Sequence, residues 1–116
     1  MSPEFQTRLS RLRERVAAGL FLEQLDNLTA ECLDLCQDRA VSLALFVLKS
    51  VFQDLAVLFE NNQPLTSIEF SSLTEGVRGA ALVVIEALAN DSQPKVDDLE
   101  RLVTIHLTNV ASFKGR

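Results

Sequence analysis

The chain has 116 residues, 47% of them hydrophobic, and a formal net charge of −5. A chain of this length is expected to form one domain, spanning residues 1–116. The acidic balance argues against nucleic-acid binding, because neutralising backbone phosphates requires an excess of lysine and arginine. Because so short a chain has a small interior, its apolar surplus predicts contact with a second subunit.

The N-terminal residues are polar and lack the apolar segment of a secretory signal. Residues 40–59 form the longest apolar stretch, but Lys49, Gln53 and Asp54 interrupt it. We take this stretch to be too polar to cross a membrane unassisted. The sequence therefore predicts a cytoplasmic protein without a membrane segment.

The spacing of the hydrophobic residues predicts five helices and no strand. The predicted helices are Pro3–Ala18, Leu20–Gln37, Arg39–Glu60, Thr66–Asn90 and Lys95–Phe113. The third helix is apolar nearly all round, which is typical of a central helix or of one partly covered by a partner. The predicted fold is therefore an all-α, five-helix bundle of antiparallel helices packed around helix 3.

The first helix begins with a favourable N-terminal sequence, since Ser2 suits the N-cap and Pro3 the first helical position. Its hydrophobic residues recur at helical spacing and predict one buried stripe. The stripe consists of Phe5, Leu9, Leu12 and Val16.

Three arginines of the first helix, Arg8, Arg11 and Arg15, share one face. The second helix is acidic on its polar side, so the favoured interpretation is a helical hairpin with complementary charge. The alternative is a site for a small anion or nucleic acid. No aromatic side chain stands beside the arginines to stack a base, and no glycine-rich phosphate loop occurs.

Cys32 and Cys36 lie four residues apart, about 40° around the second helix. A disulfide within the helix is disfavoured, because its Cβ atoms would have to approach closer than this spacing allows. A zinc site needs four ligands, and only His106 could join the two thiols. We therefore interpret both cysteines as reduced core residues that continue an apolar stripe, and we expect no metal and no cofactor.

The fifth helix has a predicted seam of Val96, Leu99, Val103, His106, Val110 and Phe113. Within this helix RLVTIH, Arg101 to His106, has the pattern R-x4-H. The pattern resembles that of the HEPN superfamily of small helical, dimeric RNA-cleaving proteins. The resemblance covers six residues and implies a ribonuclease in which Arg101 and His106 are catalytic.

The chain departs from the HEPN pattern at Leu102, where a polar residue usually follows the arginine. In a continuous helix Arg101 and His106 also lie about 140° apart. The other interpretation of His106 is a residue buried in the core or at a dimer seam and hydrogen-bonded to a neighbour.

These observations predict a non-enzymatic protein–protein interaction domain, such as an adaptor, regulator or assembly subunit, that forms a homodimer. Aromatic residues and the histidine are the expected interface anchors. They are Phe46, Phe52 and Phe59 on the third helix, and His106 and Phe113 on the fifth. The alternative function is the HEPN-like ribonuclease.

Overall fold

The structure, a computed structural model, describes residues 2–19, 22–61, 66–90 and 95–114. Its helices are α1 (Pro3–Ala18), α2 (Leu22–Leu35), α3 (Arg39–Asn61), α4 (Ser67–Ala89) and α5 (Val96–Lys114). These five helices account for 92% of the described residues, which contain no strand. The predicted all-α bundle is therefore confirmed.

The first helix follows its sequence signals closely. Ser2 Oγ accepts a hydrogen bond of 3.2 Å from the Phe5 amide and so caps the helix. The whole predicted stripe, from Phe5 to Val16, is buried. At the other end Gly19 has a φ of 148°, a backbone conformation that side-chain-bearing residues rarely adopt, and this ends the helix.

The helices pack so that each has partners on its apolar side. α1 packs against α2 and α4, α2 packs against α3, and α4 packs against α5. α3 also contacts α5 and, less extensively, α4. Residues of all five helices join one hydrophobic core, in which the largest fully buried side chains include Phe5 of α1 and Phe52 of α3.

Both cysteines are free. Cys32 is buried, and this burial, with a smaller effect from the neighbouring Glu31, raises the pKa of its thiol to about 12. Cys36 is half-buried, and its Sγ donates a hydrogen bond of 3.4 Å to the Asp38 carbonyl. Asp38 then caps α3, because its Oδ1 accepts from the Val41 amide at 3.1 Å.

Two glycines of α4 differ in what surrounds them. A Cβ added at Gly76 would lie 3.2 Å from Cγ2 of Ile105, so Gly76 allows α5 to approach closely. A Cβ added at Gly79 would meet nothing within 4 Å. Close packing of α4 on α5 therefore depends on the first glycine and not on the second.

The predicted seam of α5 needs one correction. Val96 is exposed, whereas Leu102, which lies outside the predicted seam, is fully buried. Leu99, Val103 and Val110 are half-buried. The side chain of Phe113 lies outside the described residues. The buried face is therefore rotated toward Leu102 and Ile105, because α5 sits in the angle between α3 and α4 and contacts both.

Candidate functional site

The outer face of α3 exposes three large hydrophobic side chains. Leu43, Phe46 and Val57 are 59%, 60% and 53% exposed. They lie on the same helix as nine buried residues, so α3 is apolar on its inner and its outer side. A helix of this kind is usually covered on both sides, and the bundle covers only one.

The exposed residues follow a regular spacing along α3. Positions 43, 46, 50, 53, 57 and 60 are all exposed, and they are separated by alternating steps of three and four. This is the spacing of positions a and d in a coiled-coil seam. We call these six residues, Leu43, Phe46, Ser50, Gln53, Val57 and Glu60, the α3 seam. Its centre is polar and a hydrophobic residue lies on each side of that centre.

Two charged residues of α3 border the seam, and each is engaged by a neighbouring helix. Lys49 Nζ lies 3.3 Å from Asp26 Oδ1 of α2, an ion pair without the geometry of an aligned hydrogen bond. On the other border Asp54 Oδ2 lies 2.7 Å from His106 Nε2 of α5. Lys49 is therefore drawn toward α2, whereas Asp54 has its partner on α5 and its side chain remains at the surface.

The histidine is buried while its carboxylate partner reaches the surface. The His106 side chain is 4% exposed and that of Asp54 is 61% exposed. A carboxylate only accepts hydrogen bonds, so Nε2 carries the proton in this contact. Nδ1 is buried without a hydrogen-bond partner among the described residues.

The structure places the predicted interface residues in different environments. Phe46 is at the surface in the α3 seam, whereas Phe52 and Phe59 are buried in the core of the monomer. His106 is buried against Asp54. Within a single chain, only Phe46 of these four presents its side chain to a partner. The interface itself stays a prediction.

The R-x4-H residues lie in different environments. Arg101 is exposed, and His106 is buried with Nε2 already bonded to Asp54. A catalytic histidine must bring a ring nitrogen within hydrogen-bonding reach of a substrate. In this arrangement the ring of His106 instead connects α5 to α3.

The arginines of α1 are also divided by the fold. Arg8 Nη1 lies 3.1 Å from Glu31 Oε2 of α2, one ion pair of the kind expected across the hairpin. Arg11 and Arg15 are exposed and line a shallow groove with Glu14, Gln24 and Asn27. Anion binding there stays a prediction.

Among the described residues, no three histidine, cysteine, aspartate or glutamate side chains are grouped so that they could hold a metal ion. Within the same part of the chain, α3 alone is long and apolar enough to cross a membrane, despite the polar residues that interrupt it. An apolar stretch of 18 residues within α3 has a mean hydropathy of 1.8, and 44% of it is buried in the bundle. The core helix of a soluble protein meets the same criteria, so the location stays a prediction.

Comparison with known proteins found no family model that matches the chain, and no curated protein or solved structure similar to it. The candidate site is therefore argued from the geometry of α3 and its neighbours.

Sequence reasoning missed Leu43 and Val57 as surface residues and Asp54 as the partner of His106. A signal for the first two was present, since Gln53 and Glu60 are polar and mark the outward face of α3. On a helix, Val57 lies on the same face as Gln53 because it follows four residues later, and Leu43 lies there because it precedes Gln53 by ten residues.

Proposed function

We propose that the chain is a small non-enzymatic protein–protein interaction domain, an adaptor, regulator or assembly subunit, that forms a homodimer through the α3 seam. The observation that carries the proposal is the exposure of Leu43, Phe46 and Val57 on one helix face. Large apolar side chains exposed on one helix face are a feature of interaction sites. The aromatic ring of Phe46 is the type of side chain that anchors an interface.

The charges support a second copy over a strongly charged partner. The two charged residues that border the seam, Lys49 and Asp54, already have partners within the same chain. Lys49 is paired with a carboxylate of α2, and Asp54 is hydrogen-bonded to an imidazole of α5. Glu60 is the single charged residue of the seam itself. A partner chosen by charge complementarity would find little to bind, whereas an identical seam offers matching apolar surface.

Light scattering across a range of micromolar concentrations tests the proposal. We expect a mass near twice 12.8 kDa for the native chain. Phe46→Ser should weaken dimerisation by roughly 30-fold or more, as the loss of an interface anchor does. The matched control is Ile68→Ser on α4, which replaces an even more exposed hydrophobic residue outside the seam and should leave the dimer intact.

A native chain that stays monomeric throughout this range would contradict the proposal. So would equal weakening of the dimer by the two substitutions. Circular dichroism of both variants shows whether the helices are intact, and little change is expected because both side chains are exposed in the monomer.

A further inference from the structure

We propose that the two α3 helices of the dimer pair in antiparallel orientation, with Phe46 of each chain packed against the partner's Val57. This inference rests on the proposed function and specifies the contact that makes the dimer. Three features of α3 support it: the order of residues along the seam, the position of its one charge, and the engagement of the charges at its borders.

The order of residues fits an antiparallel pair. When two such seams run in opposite directions, each position a faces a position d of the partner. With Phe46 set against the partner's Val57, Ser50 faces the partner's Gln53. The two-fold symmetry of the pair repeats both contacts. Phe46 and Val57 then form apolar contacts on both sides of the centre, and the polar residues of the centre can hydrogen-bond to one another.

The position of Glu60 opposes a parallel pair. Parallel helices would place each residue of the seam beside its own copy, so the two Glu60 carboxylates would face each other at a partly desolvated interface. Like charges directly opposed are destabilising. In the antiparallel pair each Glu60 lies against the partner's Leu43, at the edge of the contact. The two carboxylates are then separated by about 26 Å along the helices.

The borders of the seam leave room for close approach. Lys49 is drawn toward Asp26 of α2, and Asp54 is held by His106 of α5. Neither charged group therefore has to lose its partner when a second seam packs against the helix. Burying an unpaired charge would otherwise oppose association. The hydrogen bond to His106 thus holds the Asp54 carboxylate at the border of the α3 seam and keeps it out of the contact between the two seams.

Cysteine cross-linking at the ends of the seam tests the orientation and leaves Phe46 and Val57 in place. Two variants are prepared in a Cys36→Ser background, one with Leu43→Cys and one with Glu60→Cys. The native Cys32 is buried, so it does not compete for the oxidant. Light scattering first establishes that each variant is a dimer. Mild oxidation and non-reducing electrophoresis then report the cross-linked fraction.

The antiparallel pair predicts that an equimolar mixture of the two variants becomes cross-linked in roughly half of its chains, the share of mixed dimers after random exchange. Each variant alone should stay uncross-linked, because like positions lie about 26 Å apart. A disulfide requires Cα atoms within about 7 Å.

The other outcomes separate the two proposals. Cross-linking of each variant alone indicates a parallel pair and overturns the antiparallel inference, while the homodimer stands. A dimer in light scattering without cross-links in the mixture places the interface elsewhere and also overturns it. A native chain that is monomeric in light scattering overturns the proposed function as well.

Discussion

The α1–α2 hairpin and the outer face of α3 differ in how completely their hydrophobic side chains are buried. Every apolar residue of the α1 stripe is buried, and the face turned to water is polar. α3 buries nine residues yet still leaves three large hydrophobic side chains more than half exposed. The difference arises because α1 has one apolar stripe, which α2 and α4 cover, whereas α3 has two apolar sides and neighbours on only one.

The largest expected effect comes from exchanging one phenylalanine in each region for alanine. Phe5→Ala in α1 should lower the free energy of unfolding by about 3–5 kcal/mol, because it leaves a cavity at a fully packed site. Phe46→Ala on α3 should change it by less than about 0.5 kcal/mol, because the ring is exposed in the monomer.

Urea denaturation at submicromolar protein concentration measures both phenylalanine variants, since dilution keeps association out of the comparison. Similar losses of stability in the two would show that Phe46 packs within the monomer. That result would remove the contrast between the two regions and the proposed interface with it.

The thiols of α2 test how tightly the hairpin side is closed. Cys32 should be labelled far more slowly than Cys36, because burial raises its pKa from 9.0 to about 12, which lowers the thiolate fraction roughly a thousandfold at neutral pH. Cys36 is half-buried and more accessible. Alkylation followed by peptide mass spectrometry gives both rates, and equal rates would mean that this face of α2 opens readily.

The raised pKa of the Cys32 thiol also affects the stability of the protein at alkaline pH. Below pH 9.0 the thiol of Cys32 is protonated in both folded and unfolded chains and has no effect. Between pH 9.0 and about 12 the unfolded chain loses this proton first, so the free energy of unfolding should fall as the pH rises. A Cys32→Ala chain, compared over this range, should lack that part of the decline.

The smallest expected effect concerns charge. The Arg8–Glu31 pair is about one third to one half exposed, so a double-mutant cycle with Arg8→Gln and Glu31→Gln should give a coupling below about 1 kcal/mol. That coupling should largely disappear in ~1 M salt. Dimerisation through the α3 seam should respond little to the same salt. A strong salt dependence would point to a charged interface instead.

The sequence predicted the N-terminal cap and the buried stripe of α1 correctly, but it predicted the buried face of α5 less accurately. The N-cap at Ser2 and the stripe from Phe5 to Val16 are correct, because both depend on residues close together in one helix. The seam of α5 was placed less well, since Leu102 is buried and Val96 is exposed. Several turns of α5 are apolar on more than one side, so periodicity alone could not decide which side meets α3 and α4.

The candidate site was only partly predictable. The apolar composition of α3 indicated a central helix or one partly covered by a partner, and the interface role of Phe46 stays a prediction. Phe52 and Phe59 have the same residue type but lie in the core. Residue type reports how much area a side chain can bury, and it does not report in which direction the helix turns that side chain.

By itself, the sequence determined the fold class and the approximate positions of the helices. These depend on local spacing and on composition, both of which can be read along the chain. Only the tertiary structure decided which side of α3 remains open and that Asp54 meets His106, residues 52 positions apart in the chain. Such contacts depend on how whole helices pack, because packing selects one face of each helix from several that are apolar enough to be buried.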